Sequence, residues 1–471
     1  MGFGVYIWNT RETREVVSIL KRVRPELIVV LGGPEVSFET EEQAIVKLAD
    51  HVVIGEGDFL FRDLARALLA QENIPGKIVS GELPDVKKIE FPFAYFSDHD
   101  LRHRVLYVEA SRGCPYKCEY CLSSLDKSVR NFPLDTFLGE MGKLIDRGAR
   151  RFKFVDRTFN LSIAQSSRIL EFFLEKIDLG LFLHFELVPD RLPPELLHII
   201  ERFPPGALQF EIGVQTWNPE VSRLVRRRQD YAKIAENFKL LRERTQVHTH
   251  ADLIAGLPGE TLASFARGFD ALASLAPDEI QVGILKRLRG TPIIRHDQEW
   301  QMVYAEDPPY TVLSTKTMDF PKLQKIHRFA KFWDLFANSG NFSGFLEFFR
   351  ARAQESLFTA FLDFSDYLTL RHPEAHSIAL MNQLESAWLY GLEKWPSKSE
   401  TLRTILISDY TSDKPRDVPR FLRIEGSERL KISPGAKNVY STPDRQRRRL
   451  VNLHTENGAN SSVKIDLVNF K

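Results

Sequence analysis

Cysteine is almost missing from this chain, with three in 471 residues. That scarcity excludes a disulfide-stapled secreted scaffold, which would spread paired cysteines along a short chain. Long apolar runs are lacking as well. No stretch approaches the roughly 20 residues that a membrane-spanning helix needs, and Met1-Gly2-Phe3-Gly4 is not the charged start of a secretory signal. The cytoplasm is therefore the expected compartment, with no membrane partner. Excess charge of one sign is also lacking. Lys plus Arg total 64 against 63 for Asp plus Glu, so no global field draws nucleic acid or an anionic surface. The length exceeds one ordinary core and predicts two or three domains.

The three cysteines fall together, in Cys114-Pro115-Tyr116-Lys117-Cys118-Glu119-Tyr120-Cys121. An odd number at such close spacing suits a ligand set better than a disulfide framework. Three thiolates at C-x-x-x-C-x-x-C spacing can wrap one corner of an iron–sulfur cubane and leave its fourth iron without a protein ligand, since the chain holds no other cysteine. Zinc is the alternative, but a closed structural zinc site takes four ligands and would have to borrow a distant histidine.

Strand-length apolar segments recur at 105–110, 152–156, 183–187, 208–214, 248–254 and 279–284, separated by amphipathic stretches such as 134–147, 163–176, 231–244 and 261–275. This is the rhythm of βα units building a parallel sheet, and six units predict a partial barrel. In such barrels the chemistry sits at the carboxyl ends of the strands, and the cysteines follow the first of the six. His248 and His250 alternate on one strand, as a metal pair or as a hydrogen-bonded barrel wall.

Ahead of the barrel, 4–8, 27–31 and 52–54 read as three more strands, with helices at 13–24 and 39–48 between them. The turns Gly32-Gly33-Pro34 and Gly55-Glu56-Gly57 let backbone approach a flat or phosphorylated ligand, or simply connect strand to helix. The predicted organisation is a front α/β domain (1–80), a linker (81–104, within the proline-rich 75–92 and beyond), the barrel (105–295), a mainly helical region (296–411) and a polar tail (412–471) carrying the basic run 445–449. The aromatic segments 329–336 and 342–349 have the spacing of an amphipathic core face.

Ser111-Arg112-Gly113-Cys114-Pro115-Tyr116-Lys117-Cys118-Glu119-Tyr120-Cys121 resembles the cluster loop of the radical S-adenosylmethionine superfamily. The resemblance continues through Phe154-Val155-Asp156-Arg157-Thr158-Phe159-Asn160, Glu211-Ile212-Gly213-Val214-Gln215-Thr216 and Asp252-Leu253-Ile254-Ala255-Gly256-Leu257-Pro258-Gly259-Glu260. It implies a 4Fe-4S cluster on Cys114, Cys118 and Cys121 whose open iron chelates S-adenosylmethionine. One electron then cleaves the sulfonium to methionine and a 5′-deoxyadenosyl radical, which abstracts hydrogen from substrate. By similarity to the branch with oxygen-independent coproporphyrinogen oxidases, Glu186, Gln215 and Asp252 bind the ribose or methionine portion, and Arg227 meets the methionine carboxylate, a pairing suited to a planar guanidinium. Tyr120 stands where the family has an aromatic near the adenine, or shields the cluster from water. Asp156 and Arg157 begin the cofactor face or form a salt bridge. Each of these residues also has a structural reading, as strand-end caps or, for 223–228, one solvated helix face.

The segment 27–57 resembles the second half of a cobalamin-binding domain as found ahead of the radical core in cobalamin-dependent members. Such domains open with two further strands, and Gly2 to Trp8 corresponds to the third, so the chain reads as truncated at its amino end. The implied fold is α/β: a partial (βα)6 TIM-like barrel, preceded by an incomplete Rossmann-like cobalamin-binding-type domain and followed by a mainly helical region. That last region, with Lys331-Phe332-Trp333-Asp334 and Ser408-Asp409-Tyr410-Thr411, resembles an uncharacterised family. The resemblance implies cobalamin-dependent methyl transfer or rearrangement on an unactivated carbon. The alternatives are cobalamin-independent oxidation or cyclisation, and a non-enzymatic iron–sulfur redox or S-adenosylmethionine sensor. The expected partners are a small-molecule or peptide substrate and an electron donor such as flavodoxin or ferredoxin; nucleic acid is not expected, a tRNA substrate resting only on 223–228 and the basic tail.

Overall fold

A computed structural model describes residues 1–126, 128–373, 377–413 and 416–423. The basic run 445–449 and nearly all of the expected polar tail lie outside the described residues. In the front unit, β1 (Gly2–Gly4), β2 (Val30–Gly32), β3 (His51–Val53) and β4 (Ile78–Val79) pair in parallel in chain order. Both faces of a parallel sheet must be covered, and alternation along the strands divides the work. Leu31 and Val52 pack with Val17 of helix Thr10–Val23 on one side, while Val30 and Val53 pack with Leu64 of helix Asp58–Leu69 on the other.

Two local expectations shift here. The first strand ends at Gly4 rather than running to residue 8, because the Asn9 side chain accepts from Tyr6 N at 2.8 Å and donates to Gly4 O at 3.0 Å, folding the chain back. The proline-rich segment read as linker supplies β4, whose Val79 carbonyl accepts from Ile54 N at 2.9 Å.

The central sheet comprises β5 (Leu106–Val108), β6 (Arg151–Phe154), β7 (Phe182–Leu187), β8 (Leu208–Gln215), β9 (His248–Ala255) and β10 (Glu279–Ile284), all parallel and paired in that order. Outer strands β5 and β10 do not pair with each other, so the six form a partial barrel. Register places Glu186, Glu211 and His250 side by side, with Gly213 beside Asp252 one pleat above. The alternate residues Phe152, Phe154, Phe185, Phe210 and Ala251 are fully buried against the outer helices. Strand alternation thus sends aromatic bulk outward and polar groups inward.

Behind the barrel, helices Phe320–Trp333, Ser343–Arg350, Leu357–Arg371, Leu380–Lys394 and Ser399–Thr411 bury an aromatic cluster continuous with the barrel's outer layer. Phe269 of the barrel helix Leu262–Ser274 meets Trp333 edge-on, with ring centroids 4.8 Å apart, a geometry favoured by the ring quadrupoles. The open edge of β10 is covered by one side chain: Asn338 accepts from Ile280 N at 3.1 Å and donates to Ile280 O at 2.9 Å, standing in for a neighbouring strand. No helix among the described residues is long and apolar enough to cross a membrane.

Ionic contacts hold the front unit against the barrel, with Arg130 paired to Glu56 and Arg287 to Glu39 among them. Arg112 reaches Glu56 at 2.7 Å and Asp58 at 2.9 Å, and Arg289 reaches Glu35 at 2.9 Å and Glu39 at 2.6 Å.

Candidate active site

The cysteine loop is fixed at its base before any ligand is considered. Ser111–Arg112 pairs with Arg130–Asn131 as a short antiparallel hairpin, and the cysteines lie on the excursion between them. At the end of β6, the buried Asp156 accepts from Ala110 N at 3.0 Å and from Ser111 Oγ at 2.5 Å. Burial nonetheless pushes the Asp156 carboxyl up to about 6. Asp156 therefore braces the loop from below. Gly113 has φ of +97°, and a Cβ there would collide with the Ser128 carbonyl, so the turn into Cys114 needs glycine. Cys114 N then bonds Asp126 O at 3.1 Å, and Cys121 N bonds Cys118 O at 3.1 Å.

A cavity of about 250 Å³ opens beneath this loop. Cys114, Cys118 and Cys121 line it together with Tyr120, Arg157, Glu186, Gln215, Arg227 and Asp252, whereas Asp156, His248 and His250 do not. Strand geometry aims several of them. A register shift between Gly213 and Gln215 bulges the end of β8, leaving Gln215 at φ +70°, a left-handed conformation that side chains other than glycine adopt only when held there. Gln229 does the holding, donating to Val214 O at 3.2 Å and Thr216 O at 2.8 Å.

Arg227 is the cation nearest the cysteines, and Arg157 and Arg228 line the same cavity. Arg227 donates to the Gly213 carbonyl, to Gln229 Oε1 at 2.9 Å and to Tyr120 Oη at 3.3 Å, and it stands 3.6 Å from Cys118 Sγ. The run 223–228 is not one solvated helix face: the helix ends at Leu224, Arg227 turns inward, and Arg226, itself exposed, reaches the buried Glu119. Tyr120 is held by this arginine beside a cysteine. Glu186 carries the salt bridge that Arg157 was expected to make, at 3.1 Å. Burial pushes the Glu186 carboxyl up, and Arg157 offsets part of that.

Asp252 differs. Its Oδ1 is buried without a hydrogen-bond partner; His250 Nε2 comes within 3.3 Å but is not aligned to donate, and is itself without a partner. Burial, with the charges of Glu211 and Glu186 nearby, pushes the Asp252 carboxyl well above the ordinary range. An unsatisfied buried acceptor facing a cavity is where a ligand donor fits. His248 bonds Glu279 at 2.8 Å, so the histidines form a barrel wall. Glu211, which also lines the cavity, was not singled out from the sequence, although it alternates with Gly213 and Gln215 on one strand face. Burial pushes it up, but His184 at 3.0 Å and Lys153 at 3.2 Å overcome that and hold it near 2. Gln229 and Asp190 lie on loops that carried no signal.

Among the described residues no three His, Cys, Asp or Glu side chains converge as one metal ion requires. The three free thiols ring a cavity instead. That arrangement fits a polynuclear cluster whose irons each take one thiolate better than a tetrahedral zinc site.

A second cavity, about 950 Å³, lies between the front sheet and the outer side of the same loop. Its floor is backbone at Gly32, Gly33, Gly55 and Gly57, and its far wall is Arg112, Leu122, Leu125 and Asp126. Gly55, at φ +80°, has nothing within 4 Å of where a Cβ would stand, so the floor is open to a flat ligand.

Comparison with known proteins agrees with this geometry. Residues 108–272 match the family model of the radical SAM superfamily, residues 1–65 that of the B12 binding domain, and residues 298–465 a protein of unknown function (DUF4080). The tRNA-2-methylthio-N(6)-dimethylallyladenosine synthase of Acinetobacter baumannii (strain AYE) is 24% identical over 290 residues, 58% of this chain and 59% of that protein. The 2-(S-pantetheinyl)-carbapenam-3-carboxylate methyltransferase of Streptantibioticus cattleyicolor is 26% identical over 330 residues, 58% of this chain and 44% of that protein. This chain thus spans less than two thirds of the length of either relative. Two solved structures share its fold: the radical S-adenosylmethionine methyltransferase TsrM from Kitasatospora setae (TM-score 0.53, 20% identity, 64% of this chain and 65% of that one) and the cobalamin-dependent S-adenosylmethionine radical enzyme OxsB (TM-score 0.55, 14% identity, 87% and 70%). The chain thus carries a radical SAM domain that follows a B12-binding domain and precedes a region of unknown function.

Proposed function

We propose that this enzyme holds a 4Fe-4S cluster on Cys114, Cys118 and Cys121, binds S-adenosylmethionine beside it, and uses cobalamin for methyl transfer or rearrangement at an unactivated carbon. When bound, the cluster supplies the electron that cleaves S-adenosylmethionine to a 5′-deoxyadenosyl radical, and cobalamin supplies the methyl group. The observation that carries this reading is the position of one loop between two cavities. Its cysteines face the smaller cavity, and Leu122 and Leu125 face the larger, glycine-floored one.

The chain's own residues have separable tasks. Arg227 presents its guanidinium to a carboxylate and shields Cys118. Gln215, fixed by its bulge, offers an amide to the ribose or methionine portion, and Asp252 offers its unpaired carboxyl oxygen to a ligand donor. Glu186, already joined to Arg157, contributes to the same wall. Tyr120 closes the cavity above Arg227 and keeps water from the cysteines. The partners that suit this site are a small-molecule or peptide substrate and a flavodoxin- or ferredoxin-like electron donor, and thiolates kept reduced fit the cytoplasm.

The names of several curated relatives favour a second reading, a tRNA substrate. Against it, Arg227 is engaged internally, and the exposed Arg226 is already paired with Glu119. Binding to tRNA with an affinity that ignored salt would count against specific backbone contact.

The deciding test is anaerobic reconstitution followed by dithionite and S-adenosylmethionine, with 5′-deoxyadenosine quantified for wild type and Cys118→Ala. Deoxyadenosine that depends on Cys118 is expected; none from cluster-loaded wild type would overturn the proposal. Failure to retain cobalamin under the same conditions would leave cobalamin-independent oxidation or cyclisation.

A further inference from the structure

Glu119 has no place in the cofactor reading, yet it sits between the ligand Cys118 and Tyr120 and is only 1% exposed. A carboxylate taken out of water persists where cations meet it. Three do so here. Arg226 Nε and Arg295 Nη2 approach Oε1 at 2.9 and 2.8 Å, and His296 Nε2 lies 2.8 Å from Oε2. Neither guanidinium points an N–H at Oε1, so those two contacts are Coulombic, whereas the histidine makes a hydrogen bond. The main chain is gripped as well: Glu119 N donates to Val225 O at 3.0 Å, and Glu119 O accepts from Ile293 N at 3.0 Å.

These partners come from two separate elements. Val225 and Arg226 form the turn after helix Pro219–Leu224, with Arg226 at φ +52°, and the next residue is the Arg227 that reaches Cys118 and Tyr120. Ile293, Arg295 and His296 lie in the single-turn helix Pro292–His296, just ahead of the region of unknown function. Arg295 ties the two together by donating to Leu224 O at 3.3 Å.

We propose that Glu119 is a positioning residue for the cluster, locking the Cys118–Cys121 turn to the Arg227 turn on one side and to the single-turn helix Pro292–His296 on the other. Its buried charge also sets the field in which the cluster is reduced. This inference rests on the cluster reading above.

The redox step concerned is the transfer of one electron from an external reductant to the cluster, with no protein bond made or broken. A negative charge beside a ligand opposes that electron, and a positive charge favours it. Wild type, Glu119→Gln and Arg295→Gln, each as the full chain, would be reconstituted anaerobically, assayed for iron and sulfide, and titrated with dithionite while the reduced cluster is followed by electron paramagnetic resonance. The midpoint potential is expected to rise in Glu119→Gln and to fall in Arg295→Gln. Opposite shifts distinguish a charge effect from general loosening, which would move both variants alike. If Glu119→Gln fails to take up iron, Arg295, whose side chain is 43% exposed, carries the test through Arg295→Lys, which keeps the charge and should hold the wild-type potential, against Arg295→Gln, which should lower it. Unmoved potentials, or shifts of the same sign, in glutamine variants that keep their cluster would overturn the inference. A wild type that binds no iron would instead sink the cluster reading on which it rests.

Discussion

Replacing Glu260 by glutamine should make the protein more stable, and increasingly so as the pH rises. Glu260 is 1% exposed, accepts one hydrogen bond from Thr216 Oγ1 at 2.9 Å, and has a second carboxyl oxygen with no partner. Burial pushes its carboxyl from an ordinary 4.5 up to about 8, and the Thr216 hydrogen bond pulls back only part of that. Because the folded value lies above the unfolded one, the native state holds its proton more tightly. Its contribution is therefore complete below about pH 4.5 and is lost as the pH rises through 8. The slope is about 1.4 kcal/mol per pH unit, so the loss approaches about 5 kcal/mol above pH 8 as a ceiling. Glutamine keeps an oxygen for Thr216 and never ionises. Urea unfolding of iron-free, reduced protein from pH 5.5 to 8.5 should show the variant gaining about 3 kcal/mol on wild type across that interval. A difference that stays constant with pH would refute the reasoning.

Gly33→Ala places a Cβ 2.5 Å from Val5 O at a residue with φ +104°, and should cost the front unit about 1–3 kcal/mol, read as a lowered thermal midpoint. Asn338→Ala strips both partners from Ile280 at the barrel edge and should cost about 2–4 kcal/mol in denaturant unfolding. Phe361→Ala, at a fully buried ring packed on Phe329 and Trp333, should cost about 3–5 kcal/mol by the same measurement. Arg227→Met keeps apolar bulk but loses the charge beside Cys118, and should weaken S-adenosylmethionine binding to cluster-loaded protein about tenfold or more in equilibrium dialysis.

Some of the site could be read directly from the chain because its information is local. The cysteine spacing is set within one loop, and the six barrel strands and their helices announce themselves through periods of two and 3.6 residues. Alternation on β8 and β9 likewise places Gln215 and Asp252 on the inner face. Local pattern erred where a single side chain decided, as when Asn9 ended β1 early, and where β4 was too short to show a period.

The sequence by itself determined the kind of ligand set, the barrel and the faces that its strands present. Only the tertiary structure decided which charges meet. Glu119 and His296 are 177 residues apart, and Glu35 and Arg289 254 apart, distances over which no periodicity carries information. The anomalous carboxyls of Glu260 and Asp252 arise in the same way, since the loss of water that perturbs them is a property of everything packed around them rather than of their neighbours in the chain.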